Sequence, residues 1–240
     1  MGVFLSVLVS LTLAILGGTA GSALAQSYDW TGIYLGGQIG AQWLESRSSE
    51  SYPLPGVGAS KTLHGTSFMG GGQAGYNWQF SGAPVALGLE ADIIGTSQKK
   101  DGELVRLGTD FISGRSELDV QGSIRGRLGW AINRVLIYAT GGVGFGAGKA
   151  STIIGRDAVG STTLGKTATL VGWTVGTGIE YALPFLSNWS LRAEYRYTDL
   201  GSINLSSPGG LIGGSVGFLP YTAKADFRTH NVAFGVNYKF

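Results

Sequence analysis

The sequence predicts an all-β protein that closes as an eight-stranded antiparallel up-and-down transmembrane β-barrel. Three observations predict it. Eight stretches alternate apolar residues with polar or small ones at a period of two, the mark of a strand with unlike faces. The connections between them alternate in length, long after odd strands and short after even ones. The composition sets 42 glycines and only 13% charged residues beside 6 Trp, 10 Tyr and 10 Phe. A glycine-rich disordered chain would be poor in aromatics, so glycine here belongs to a fold.

The first 25 residues stand apart. Val3 to Leu16 is apolar with a few Ser and Thr, and Ala23-Leu24-Ala25 is a small-x-small cleavage site. This reads as a secretory signal peptide cut between Ala25 and Gln26, leaving 26–240 as one barrel domain. One feature departs from the pattern: no Lys or Arg precedes the apolar run. Either the amino terminus supplies the charge or the natural start lies a little upstream. No later run of 18 apolar residues occurs, so no transmembrane helix is expected.

The first strand sets Ile33, Leu35, Ile39, Ala41 and Trp43 against Tyr34, Gly36, Gln38, Gly40 and Gln42. The second, near 66–80, sets Phe68, Ala74, Tyr76, Trp78 and Phe80 against Ser67, Gln73, Asn77 and Gln79. Ser81-Gly82-Ala83-Pro84 turns into the third, where Val85, Leu87, Leu89, Ala91 and Ile93 alternate with Gly88, Glu90 and Asp92. The fourth, near 116–132, gives Leu118, Val120, Ile124, Leu128 and Trp130 against Asp119, Gln121, Ser123, Arg125 and Arg127. After the Asn133-Arg134 turn, the fifth carries Val135, Ile137, Ala139, Val143 and Phe145 opposite a face that is almost all glycine. The sixth sets Val171, Trp173, Val175, Ile179 and Tyr181 against Gly172, Thr174, Gly176, Gly178 and Glu180. The seventh sets Leu191, Ala193, Tyr195 and Tyr197 against Arg192, Glu194, Arg196 and Thr198. The last alternates Val232, Phe234, Val236, Tyr238 and Phe240 with Asn231, Ala233, Gly235, Asn237 and Lys239.

A soluble edge strand would show the same alternation as the last segment, so the connections decide. Those at 48–63, 98–113, 150–166 and 202–223 are long, while the others are a few residues. Outer-membrane barrels have short periplasmic turns and long external loops, whereas a soluble sandwich has no reason to sort its loops by parity. Trp43, Phe80, Trp130, Tyr181 and Tyr238 stand at strand ends beside the apolar face, where a membrane interface would hold them. In lipid every backbone group must be paired internally, which for strands requires closure.

The inward face is then glycine, Gln, Asn, Thr and charge. Glu90, Asp92, Asp119, Arg125, Arg127, Glu180, Arg192, Glu194 and Arg196 form the expected lumen network. Glu90 and Asp92 are expected to meet Arg127 and Arg125 across neighbouring strands, and Glu180 to face Arg192, Glu194 and Arg196. An eight-stranded lumen is just wide enough for side chains to fill it. The network therefore reads as a plug; the alternative is a charged constriction that passes small solutes.

Other chemistry has thin support. Cysteine is absent, which removes disulfides, thiolate nucleophiles and Cys-based zinc sites. A net charge of +2 gives no reason to expect a nucleic-acid partner. Gly70 to Gly75 fits G-x-G-x-x-G but runs on into a strand, not a helix. The only histidines, His64 and His230, lie far apart in sequence, so no metal site is expected. Lipid A deacylases with this fold carry His-x-Ser, whereas His230 is followed by Asn231-Val232. No catalytic residue and no enzyme activity are expected.

Four segments carry a family resemblance: Trp30–Gly40, Tyr138–Gly146, Arg192–Tyr197 and Asn231–Phe240. In order and spacing they resemble the small outer-membrane porin family of alphaproteobacteria, the opacity-like, immunogenic surface-antigen group that includes haemin-binding members. The resemblance spans essentially all of 26–240 and implies a barrel with a structural or surface role. It implies periplasmic termini and external long loops. Phe234, Val236, Tyr238 and Phe240 would form the strand read by the barrel-assembly machinery. The expected partners are outer-membrane lipid and lipopolysaccharide, with host or environmental ligands at the loops. The alternatives it leaves are a narrow porin and a haem-binding surface protein, with His64, Tyr52 or Tyr221 as candidate ligands; no resident cofactor is expected.

Overall fold

The computed structural model describes residues 28–51, 58–107, 110–156, 160–207 and 221–240. The signal-peptide segment and the Ala25–Gln26 cleavage site lie outside the described residues. Eight strands follow one another: β1 (Gly32–Ser51), β2 (Gly58–Gln79), β3 (Val85–Leu107), β4 (Asp110–Ile132), β5 (Val135–Arg156), β6 (Gly160–Ala182), β7 (Trp189–Ser207) and β8 (Tyr221–Lys239). Each pairs antiparallel with the next, and β8 returns to β1 to close the barrel. Closure removes both sheet edges, so no ladder of unpaired backbone groups faces lipid.

The closure has a definite stagger. Stepping across paired residues from Tyr34 leads through Gly75, Glu90, Arg125, Gly142, Thr174, Thr198 and Thr229. The path returns to β1 at Leu44, ten positions beyond its start (34 to 44). A stagger of this kind goes with strands tilted against the barrel axis, as closure requires.

Two expectations need correction. The segments 98–113 and 150–166, expected as loops, are mostly strand: β3 runs to Leu107, β4 starts at Asp110, β5 runs to Arg156 and β6 starts at Gly160. Beyond the membrane both faces of a strand meet water, so hydrophobic alternation disappears while the backbone ladder continues. Likewise β1 reaches Ser51 and β7 reaches Ser207, shortening the other two long connections.

The second correction concerns β4. A register shift between Leu118 and Val120 inserts one residue, which reverses the facing of everything above it. Leu118, expected outside, is fully buried, and Asp119, expected inside, is the extra residue. Another bulge lies at Asp199–Gly201 in β7, where Gly201 takes a left-handed φ of 78°. That conformation costs glycine nothing.

The wall is inside out by the standard of a soluble protein. Ile33, Leu35, Ile39, Leu89, Ile93, Ile124, Val171, Val175 and Phe234 are exposed, while among the described residues eight charged side chains are buried. Aromatics border the apolar band at both ends: Trp78, Trp130, Tyr181 and Trp189 toward the short turns, Phe68, Phe145 and Trp173 toward the long connections. A continuous apolar belt of this extent is far beyond what a soluble monomer exposes, and hydrocarbon is the solvent that suits it.

Candidate functional site: the filled lumen

Alternation carries Glu90 and Asp92 of β3, Arg125 and Arg127 of β4, Glu180 of β6, and Arg192, Glu194 and Arg196 of β7 to the inner face. Four guanidiniums meet four carboxylates, all at least 94% buried. Arg125 is one hub. Its Nη1 donates to Glu194 Oε1 at 2.7 Å and Thr140 Oγ1 at 3.1 Å, while Nη2 reaches Asp92 Oδ2 at 3.1 Å and pairs with Glu90. Arg192 donates from both terminal nitrogens to Glu90, at 2.7 and 3.2 Å, and also pairs with Glu194. Arg196 bridges Asp92 Oδ1 and Glu194 Oε1, each at 2.9 Å.

The expected Asp92–Arg125 pair is present, and the rest of the pairing differs. Glu90 and Asp92 both meet Arg125, which stands opposite Glu90 in the β3–β4 register. Arg127 pairs with Glu180 instead. The Arg192–Glu90 contact crosses the lumen from β7 to β3. Glu180 is further held by Ser190 Oγ at 2.5 Å and Asn237 Nδ2 at 2.8 Å, and Asn237 in turn accepts from Gln73 at 2.8 Å. Charge-assisted bonds of this kind are the strong ones, and each side chain has several.

Two tyrosines complete the core, and sequence reasoning gave neither a role. Tyr34 Oη donates to Glu90 Oε2 at 2.6 Å, and Tyr138 Oη to Glu194 Oε2 at 3.0 Å. The Arg127 guanidinium lies over the Tyr138 ring, 3.7 Å from its centroid. Each tyrosine leans across the glycine opposite it in register, Tyr34 over Gly75 and Tyr138 over Gly178. A Cβ on Gly178 would sit 2.5 Å from the Tyr138 hydroxyl, and one on Gly75 would collide with that of Tyr34. Glycine here marks a close approach. The pairing Tyr34–Gly75 and Tyr138–Gly178 was the available signal.

Apolar layers cap the ionic core. Toward the short turns, Trp30, Ala86, Leu136, Tyr138 and Ala182 pack together. Toward the long connections, Leu44, Leu118, Leu170, Leu200, Ile203, Ala225 and Phe227 form a second cluster. The inner face is therefore not the uniformly polar surface expected. Between the core and the upper cluster lie the buried amides Gln38 and Asn231, neither hydrogen-bonded to another protein group.

Asp119 takes no part in the network. Its side chain is 43% exposed and lies 3.5 Å from Lys149 Nζ. In β8 and the terminal residue after it, Asn231, Ala233 and Asn237 are buried while Phe234, Val236 and Phe240 are exposed and Tyr238 partly so. This strand pairs with β1 from Tyr34↔Lys239 through Ser51↔Thr222. Of the candidate haem ligands, Tyr52 and the side chains of His64 and Tyr221 lie outside the described residues. His230 faces outward with Nδ1 2.8 Å from Tyr195 Oη. Among the described residues no group of three His, Asp or Glu is arranged to hold a metal.

A closed ladder, an apolar outer wall and a charged, side-chain-filled interior define a membrane-spanning β-barrel protein. The chain belongs to the outer membrane protein beta-barrel domain family, whose model matches residues 11–240. It is similar to the 31 kDa outer-membrane immunogenic protein of Brucella melitensis biotype 1, at 36% identity over 226 residues, covering 91% of this chain and 87% of that one. It is also similar to the 22 kDa outer membrane protein of Rhizobium leguminosarum bv. viciae, at 32% identity over 72% of this chain and 65% of that one. Among solved structures, the outer membrane protein OprG from Pseudomonas aeruginosa shares the fold, with a TM-score of 0.50 at 13% identity over 90% of this chain and 99% of that one. The expected all-β barrel and its alphaproteobacterial relatives are thus found, and the protein is one of the outer membrane.

Proposed function

We propose that the protein is a structural and surface-interaction barrel: a plugged, non-catalytic wall element that supports the envelope and presents its long connections to the outside. The observation that carries this reading is the ionic core. It is charge-balanced, buried, and capped by apolar layers on both sides. A solute path would have to separate several of these pairs, and breaking one buried pair costs about 3–5 kcal/mol. The relatives' description as outer-membrane immunogenic proteins supports exposure of the long connections. In this reading the signal peptide is removed at Ala25–Gln26, the termini are periplasmic, and β8 with the terminal Phe240 engages the assembly machinery.

Liposome swelling tests the closed lumen. Vesicles holding the folded barrel should swell in small sugars no faster than protein-free vesicles; swelling at the rate of an open porin would overturn the reading. An epitope inserted within 208–220 should be accessible on intact cells, and a C-terminal one should not.

A further inference from the structure

The upper outer wall of β1, β8 and β7 carries a polar cluster that the plugged-lumen reading does not use. Three cross-strand rows stack there: Ala41, Val232 and Tyr195; Trp43, His230 and Tyr197; Glu45, Arg228 and Asp199. The Tyr197 ring meets His230 edge-on at 5.0 Å and lies 5.3 Å from that of Trp173. Tyr195 Oη lies 2.8 Å from His230 Nδ1. Arg228 is held through Nε, 3.1 Å from Asp199 Oδ2, and is 53% exposed, which leaves its two terminal nitrogens for an anion. Arg47, Asp226 and Lys224 follow above, with Lys224 Nζ 3.2 Å from Asp226.

A groove of about 710 Å³ opens nearer the short turns across β1, β8 and β7 and on to β2, lined by Gly37, Ile39, Gly70, Leu191, Phe234 and Val236. The missing side chains of Gly37 and Gly70 create it. A Cβ on either would meet nothing nearer than 3.8 Å. Gly37 and Trp43 are six positions apart, about 20 Å along a strand and near 15 Å in depth once tilted. Half of a hydrocarbon core of about 30 Å is the same distance. The groove therefore lies where the acyl chains of a lipid would run if its head sat at the His230–Arg228 rows.

We propose that these rows and the groove below form a docking site for one phosphorylated glycolipid of the outer leaflet, of lipopolysaccharide chemistry. The site is continuous with the lipid-facing wall, so a membrane lipid is the molecule placed to reach it. The charge pattern chooses which. Asp199, bonded to Arg228 Nε, offers an acceptor for a sugar hydroxyl beside the phosphate that the two terminal nitrogens of Arg228 would hold. Tyr195, Tyr197 and Trp43 add aromatic faces with polar tips, which suit a sugar at the interface. The proposal rests on the orientation given above, with long connections outside.

Native mass spectrometry of the folded barrel, released from phosphatidylcholine nanodiscs after titration with lipid, tests it. Bis-phosphorylated lipid A should be retained as one equivalent, about tenfold more strongly than its dephosphorylated form or phosphatidylglycerol, since a charge-assisted hydrogen bond is worth about that ratio. Arg228→Gln and Gly37→Leu should each lower retention about fivefold or more, and Lys149→Gln should leave it unchanged. Heat-modifiable gel mobility confirms that each variant is folded, and Arg228→Gln suffices if Gly37→Leu does not assemble. Equal retention of phosphatidylglycerol, or retention indifferent to a folded Arg228→Gln variant, overturns the site. That outcome with the epitope still outside refutes the lipid site alone, whereas a reversed epitope refutes the orientation beneath it.

Discussion

Replacing Arg127 by Met and Glu180 by Gln, singly and together, probes the ionic core at its most separable pair. Arg127 pairs with Glu180, lies over Tyr138 and has one longer contact, 3.4 Å to Tyr34 Oη. Glu180 keeps two neutral donors, Ser190 and Asn237, when Arg127 is gone. Arg127→Met therefore strands a buried carboxylate, and Glu180→Gln strands a buried guanidinium. Each should cost about 3–5 kcal/mol. With a urea slope near 2 kcal/mol per molar, the unfolding midpoint should fall by about 1.5–2.5 M. The double variant removes both charges, so its loss should undercut the sum of the singles by about 3 kcal/mol. Urea titration of the barrel in phosphatidylcholine vesicles, followed by tryptophan fluorescence and gel mobility, reads all four corners of the cycle. Single losses under about 0.5 kcal/mol, or strict additivity, would refute a closed, water-excluded core, because a solvated pair behaves that way.

Other outcomes follow from the same geometry. Asp92→Asn, which weakens contacts to Arg125, Arg196 and Ser123, should cost about 3 kcal/mol, and Asp119→Asn at the bulge should stay within about 0.5 kcal/mol by the same titration. Gly178→Ala should destabilise by about 1–3 kcal/mol through collision with Tyr138, while Gly141→Ala, with nothing nearer than 3.9 Å, should be neutral or slightly stabilising. Deleting Phe240 should lower the yield of heat-modifiable barrel in outer-membrane fractions; normal assembly would count against β8 as the strand the machinery reads.

The architecture was readable because lipid outside and polar side chains inside write opposite chemistries on alternate residues. Strand number and most of the facing follow from that alternation, and the parity of the connections argued for closure. Strand length did not, since β3 to β6 run on into water, where neither face need be apolar. Asp119 was misplaced because Leu118 and Val120 look like one unbroken apolar face when a bulge separates them. The charged residues could be named, but of their pairs only Asp92 with Arg125 was legible. Register arguments reach only adjacent strands, and Arg192 meets Glu90 across the lumen. Apolar lumen residues such as Leu44, Leu136 and Phe227 were missed for a related reason: near the barrel ends the wall no longer enforces alternation, and the interior is closed by whatever side chains pack.

Planar bilayer recording of the purified, folded monomer tests the filled lumen most directly. The account predicts a membrane as silent as one without protein under a sustained voltage, apart from brief, irregular events. Stable ohmic channels of uniform conductance, inserted by protein whose gel mobility shows it folded, would contradict it.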